Sequence, residues 1–216
     1  MKTLIGTPID HKNIGLVKLL YELRQDIDIY CLISINDDGI NQRGVGKSFI
    51  FRLRQLVIKS IALSICNIYE YKNKYELYSI HGVLINLPNE VRTTLDDNKL
   101  KAFIQKYNGL LTSDNSISAI ESTIKGFRKR YKDELNRFKA FRDKKVAHSE
   151  FGFTGDSLPS YDMMEKLFYF GADFYELVSA SFVGVDPHDL RGQGPVKTSL
   201  KRLFQELGIK DIKTDM

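Results

Sequence analysis

Ser118–Glu150 reads SAIESTIKGFRKRYKDELNRFKAFRDKKVAHSE. With Ile117 just before it, the stretch places Ile120, Ile124, Phe127, Tyr131, Leu135 and Phe138 at steps of three and four. That spacing predicts a long amphipathic helix whose apolar stripe is core. Ser118 with Glu121 three positions on fits a reciprocal capping pair at its start. The pattern ends in AFRDKKVAHSE, Ala140–Glu150, where five residues separate Arg142 from His148. Guanidinium is a permanently charged fork suited to phosphate oxygens, and imidazole is the side chain whose ordinary pKa suits proton transfer near neutrality. By itself the pair also fits a solvated helix face with a histidine at the negative end of the helix dipole.

Outward from this stretch the chain reads as helices and turns. Asn13–Ile33 carries Ile14, Val17, Leu20, Leu23 and Ile27 at helical spacing, and Ser34–Gly46 has the composition of an exposed connection. Gly44–Ser48, GVGKS, looks like the end of a phosphate-binding loop, but the glycine required five positions before Gly46 is Asn41, so it reads as a glycine-rich lead into the next helix. Lys47–Tyr71 is apolar on most sides, which places it centrally in a bundle or partly in an oligomer interface, with Arg52, Arg54 and Lys59 on its less buried side. Ser79–Leu87 is a short apolar segment holding His81, read as structural. Lys99–Leu111 is a modest helix. Ser160 caps a helix through Phe182, Gly184–Pro195 is a linker whose His188 and Arg191 carry no motif, and Val196–Leu207 is a short amphipathic helix docked on the bundle or a partner. The expected fold is all-α: a single-domain bundle of about five to seven helices over 1–183, with a linker and C-terminal helical appendage over 184–216.

Composition is that of a soluble globular chain, 43% hydrophobic and 27% charged over 216 residues, long enough for one sizeable core. Cys31 and Cys66 lie in separate apolar patterns without zinc spacing and read as small buried hydrophobes of a reducing compartment. No apolar run reaches membrane-spanning length and the start lacks a secretory core, so no membrane role and a cytoplasmic location are expected. The net charge of +5 is concentrated: Arg128, Lys132, Lys139, Lys144 and Lys145 cluster with Arg142 in the motif region, where RNA phosphates would be held. Asp, Glu and His are not clustered as a two-metal nuclease requires, and no metal or cofactor is expected.

The sequence RDKKVAH, an arginine, a polar Asp143, a short run and a histidine, resembles the signature of the HEPN family of all-helical nucleotide-binding domains, and within it the abortive-infection branch. The resemblance extends to about Val183. It implies a metal-independent endoribonuclease, a toxin or antiphage effector of toxin–antitoxin or antiviral defence systems, restrained by an antitoxin or nucleotidyltransferase partner. The alternative it implies is a HEPN module that binds RNA, a nucleotide or a regulatory protein without cutting. On a regular helix Arg142 and His148 stand about 120° apart and about 9 Å along the axis, so they meet at one phosphate only if the helix loosens near Ala147 or two protomers contribute. The family implies the second, a homodimer with paired motifs in one cleft. His148 then serves as base, as acid or as both, Arg142 holds the phosphate, and Asp143 holds Arg142 or orients His148. Tyr131 and Phe141 are read as core rather than as base-stacking rings.

Overall fold

The structure is a computed structural model that describes residues 15–44, 46–71, 78–87, 95–109, 116–147, 159–183, 190, 195–209 and 211–214. His148, His188 and Arg191 lie outside the described residues, as do most of the expected loops, 72–77, 88–94, 110–115 and 151–158. Nine α-helices and a π turn make up the described elements, with no strand among them. In chain order they are α1 (Gly15–Ile35), α2 (Asp37–Arg43), α3 (Lys47–Tyr69), α4 (Ile80–Ile85), α5 (Asp97–Lys106), α6 (Ser116–Arg130), α7 (Lys132–Phe141), the π turn Arg142–Ala147, α8 (Tyr161–Val183) and α9 (Pro195–Glu206). The all-α expectation holds, and the short helices α2 and α4 add to the longer ones that periodicity marks. Among the described residues no helix is long and apolar enough to cross a membrane.

The helix buried most widely is α8. Met164, Leu167, Phe168, Phe170, Phe174 and Val178 have no exposed surface, and Gly171 sits so near α1 that a β-carbon there would lie 2.8 Å from Leu20. Close approach of two helices is what this glycine permits. Opposite it, α1 buries Val17, Leu20, Leu23 and Ile27, which its periodicity marks, and Leu16 besides. Arg24, paired with Asp28 of its own helix at 3.1 Å, joins the two helices through Glu165 at 3.3 Å. Next to Gly171, Phe127 of α6 stacks on Phe170 with ring centroids 3.8 Å apart, and Tyr69, Tyr107 and Phe103 close around that pair. One aromatic cluster thus ties the end of α3 to α5, α6 and α8.

Four local expectations need correction. The stripe from Ile117 to Phe138 is continuous in burial, but its helix bends at Tyr131, where φ is −105° and ψ 29°. Hydrogen bonds from Tyr131 N–H to the Phe127 carbonyl and from Leu135 N–H to the Tyr131 carbonyl carry the ladder across the bend. Ser118 is exposed inside the first turn of α6, so it is not the cap. The connection before α3 is exposed over much of its length, as expected, but it is helical and anchored at two points: α2 buries Ile40, and the buried Asn36 amide donates to the carbonyls of Leu32 at 2.8 Å and Lys213 at 3.0 Å. Finally, α5 starts earlier than apolar spacing indicates because Asp96 caps it, accepting from Asn98 N at 2.8 Å and Lys99 N at 3.0 Å, and it ends earlier because Asn108 turns left-handed at φ 55°.

The segment YCLISI lies inside α1, so GVGKS has no strand before it and opens α3. Ser160 caps α8, accepting from Met163 N at 3.4 Å. The C-terminal helix α9 docks on the bundle, where Leu200, Phe204 and Ile209 form a second apolar cluster with Leu32, Ile33, Ile40 and Ile50. Asp26 of α1 stands against Ser60 of α3, and burial pushes its carboxyl up to about 6. A folded-state pKa above the unfolded one means the folded protein binds this proton more readily, so stability falls as pH rises from about 4 to about 6 and stays lowered above that. Asp26→Asn is therefore expected to raise the unfolding free energy by about 2 kcal/mol at pH 7.5 and leave it unchanged at pH 4, as measured by urea denaturation at both pH values.

Candidate functional site

The cleft forms where α3 ends. Tyr69, the last residue of α3, is buried, and its hydroxyl donates to the Leu167 carbonyl at 2.5 Å. Burial holds its phenol well above the ordinary tyrosine range. After it the backbone leaves the helix, with Glu70 extended at φ −68° and ψ 136°. The last turn of α3 has no basic residue of its own to answer its terminal carbonyls. Arg128 of α6 supplies one, donating to the Tyr69 carbonyl, with its guanidinium 5.0 Å over the ring of Tyr71. Burial lowers the Arg128 pKa from its ordinary value.

Across from this end, α7 and the π turn build the second wall. Leu135, Asn136 and Lys139 face the cleft from α7, and Arg142 faces it from the first position of the π turn. The cleft encloses about 300 Å³, at the lower end of the range for small-molecule sites. Arg142 Nε donates to Asp143 Oδ1 at 2.8 Å. Burial alone would lower the Arg142 pKa, but that hydrogen bond, with Cys66 and Glu70 nearby, raises it. The guanidinium is thus a fixed positive charge in the cleft.

The π turn over Arg142–Ala147 is the loosening that sequence left as one of two ways to bring motif residues together. Its hydrogen bonds close at i→i+5, which widens the turn, and such turns concentrate at functional sites. Of the residues singled out from sequence, Arg128, Lys139 and Arg142 line one cleft, and Asp143 holds Arg142. Lys132 is exposed, four and seven positions before Asn136 and Lys139, hence on the same face of α7. Lys144 is exposed in the π turn; Lys145 contributes backbone to that turn, and its side chain lies outside the described residues. Tyr131 packs on Phe127, and Phe141 is buried, both as core.

Sequence reading did not find Cys66, Glu70, Tyr71 and Asn136 on the cleft walls. A helix end followed by an extended residue leaves no periodic mark. His81 also comes closer than expected: its ring stacks on Tyr71 with centroids 3.9 Å apart, although it does not line the cleft. Burial lowers its pKa, with Arg128 and Lys125 acting in the same direction against Glu121. Burial pushes the Cys66 thiol up to about 11 against the opposing pull of Arg142, which disfavours the thiolate that a nucleophile needs. Among the described residues no group of three or more His, Cys, Asp or Glu side chains is gathered to hold a metal ion. The arrangement can hold an anion beside an apolar and aromatic wall.

A family model for AbiU2, a HEPN family, matches residues 17–193 and so takes in every wall of this cleft while stopping short of α9. No curated protein and no solved structure matches the chain. A thiol held near 11 sets a prediction. In a Cys31→Ser protein at pH 8, iodoacetamide should label Cys66 on the order of a hundred-fold more slowly than free cysteine, as followed by mass spectrometry. Labelling at the free-thiol rate would mean an activated thiolate in the cleft.

Proposed function

Because the chain belongs to the AbiU2 family of HEPN proteins, an abortive-infection-associated HEPN group, we propose that it is a metal-independent endoribonuclease acting on single-stranded RNA in a toxin or antiphage role. The observation that carries this reading is Arg142, set on the wall of a cationic cleft and held there by Asp143. In the proposed reaction a base removes the 2′-hydroxyl proton, and the 2′-oxygen attacks the adjacent phosphorus. The bond to the 5′-oxygen breaks as an acid returns a proton to it. The products are a 2′,3′-cyclic phosphate and a 5′-hydroxyl. His148 is assigned the proton transfers. Arg142 offsets the charge that grows on the phosphoryl oxygens, and Arg128, Lys139, Lys132, Lys144 and Lys145 hold the flanking backbone.

Base and acid are two tasks, and a twofold dimer would supply two imidazoles. The exposed side of α3 supports that pairing. Phe49, Leu56 and Leu63, 61%, 49% and 38% exposed, recur every seven residues, and the next positions on this face are Cys66 and Glu70 of the cleft. A second copy packed along this stripe with its α3 parallel to the first would set its own cleft beside the first. An antitoxin or nucleotidyltransferase partner that restrains activity fits the same role.

Single-stranded RNA incubated with the protein in EDTA should be cut to fragments ending in 2′,3′-cyclic phosphate. His148→Ala should slow cutting by about 10²–10⁴-fold and Arg142→Ala by about 10²–10³-fold. A 2′-deoxy substitution at the cleaved position should abolish it. Cutting that persists in both variants would refute the assignment, and an intact protein that retains RNA without cutting it would be a binding module.

A further inference from the structure

A site for phosphate alone has no use for an apolar wall, yet this cleft has one. Its cations, Arg128, Lys139 and Arg142, share it with Ile65, Leu135 and the ring of Tyr71. Tyr71 keeps 38% of its surface exposed. His81 lies against it with only 16° between the ring planes, which fixes the plane of the phenol. Arg128, anchored on the Tyr69 carbonyl, sets a guanidinium 5.0 Å over the same ring, so that a second flat group, this one charged, joins the phenol at this position. A flat, immobilised aromatic surface beside a row of phosphate-binding cations is what an unstacked nucleobase requires. Glu70 adds a further feature. It lines the cleft, and among the described residues it forms no ion pair with any of the three cations. A carboxylate accepts hydrogen bonds only, so it repels phosphate and suits a base edge rich in N–H donors.

We propose that Tyr71, backed by His81 and flanked by Arg128, is a nucleobase seat next to the Arg142 phosphate position, and that Glu70 reads the seated base. Guanine fits best, because its ring N–H and exocyclic amine are two adjacent donors that a carboxylate can take together. Uracil presents a single N–H between two carbonyl oxygens and fits worst. The inference rests on the cleft being an RNA site, and it adds base selectivity to it.

The test uses short single-stranded RNA with 2′-O-methyl riboses, which cannot be cut, so binding is read independently of cleavage. An abasic residue is moved through the oligonucleotide one position at a time. One position should weaken binding to the intact protein by about ten- to a hundred-fold. That loss should persist in Tyr71→Phe and vanish in Tyr71→Ala. At the same position guanine should bind about tenfold tighter than uracil, a preference that Glu70→Ala removes. If no abasic position matters, or the loss is unchanged in Tyr71→Ala, the seat is overturned. Uracil binding as tightly as guanine overturns the part given to Glu70. The scan on the intact protein needs no variant and decides the matter even if Tyr71→Ala does not fold. A base-dependent binder that leaves cleavable RNA intact would keep the seat and discard the nuclease.

Discussion

Arg142 is held in place by its neighbour. Its Nε donates to Asp143 at 2.8 Å, and among the described residues this is the one hydrogen bond of its side chain. A guanidinium has five donors, so the bond fixes the plane of the fork while leaving most of it for an anion. The π turn that starts at this residue sets Arg142 on the cleft wall and Asp143 beside it. Without Asp143 a long arginine side chain would sample many rotamers, and ordering it on a phosphate would cost entropy each time. The proposed chemistry starts from this restraint.

The bundle serves that restraint by fixing the two walls relative to one another. Phe127 stacked on Phe170 anchors α6 to α8, and Tyr69 packs into the same cluster while donating to the backbone of α8. Arg128, one residue beyond Phe127, therefore reaches the end of α3 from a position the core has already set. The cations of the cleft stand on helices rather than loops, which suits a site that must hold geometry under charge repulsion. The same packing leaves one side of α3 uncovered, with large apolar side chains in a row leading to the cleft.

What sequence made legible was periodic. The apolar sets of α1, α6, α7 and α8 are the buried sets, because burial on one face of a helix must repeat every three to four residues. The cluster of basic residues was legible for a similar reason, since it falls within one helical stretch. Features set by a single contact across the fold were not. Arg24 looks like any helix charge until Glu165, far along the chain, meets it. Asn36 has turn composition, and only the return of the chain near Lys213 shows it buried. Tyr71 and Glu70 follow a helix end, where no period continues, and they became wall residues only because Arg128 and α7 close over them. The bend at Tyr131 has no proline to mark it.

In the proposed reaction everything depends on Arg142 holding an RNA phosphate. The direct measurement is the salt dependence of binding to uncuttable single-stranded RNA, with the intact protein compared with Arg142→Gln. Each phosphate neutralised on a single strand adds about 0.7 to the magnitude of the slope of log affinity against log salt. With Arg142 on a phosphate, the slope in Arg142→Gln is expected to be shallower by about that amount. An identical slope for the two proteins would contradict it, placing this guanidinium away from the RNA backbone.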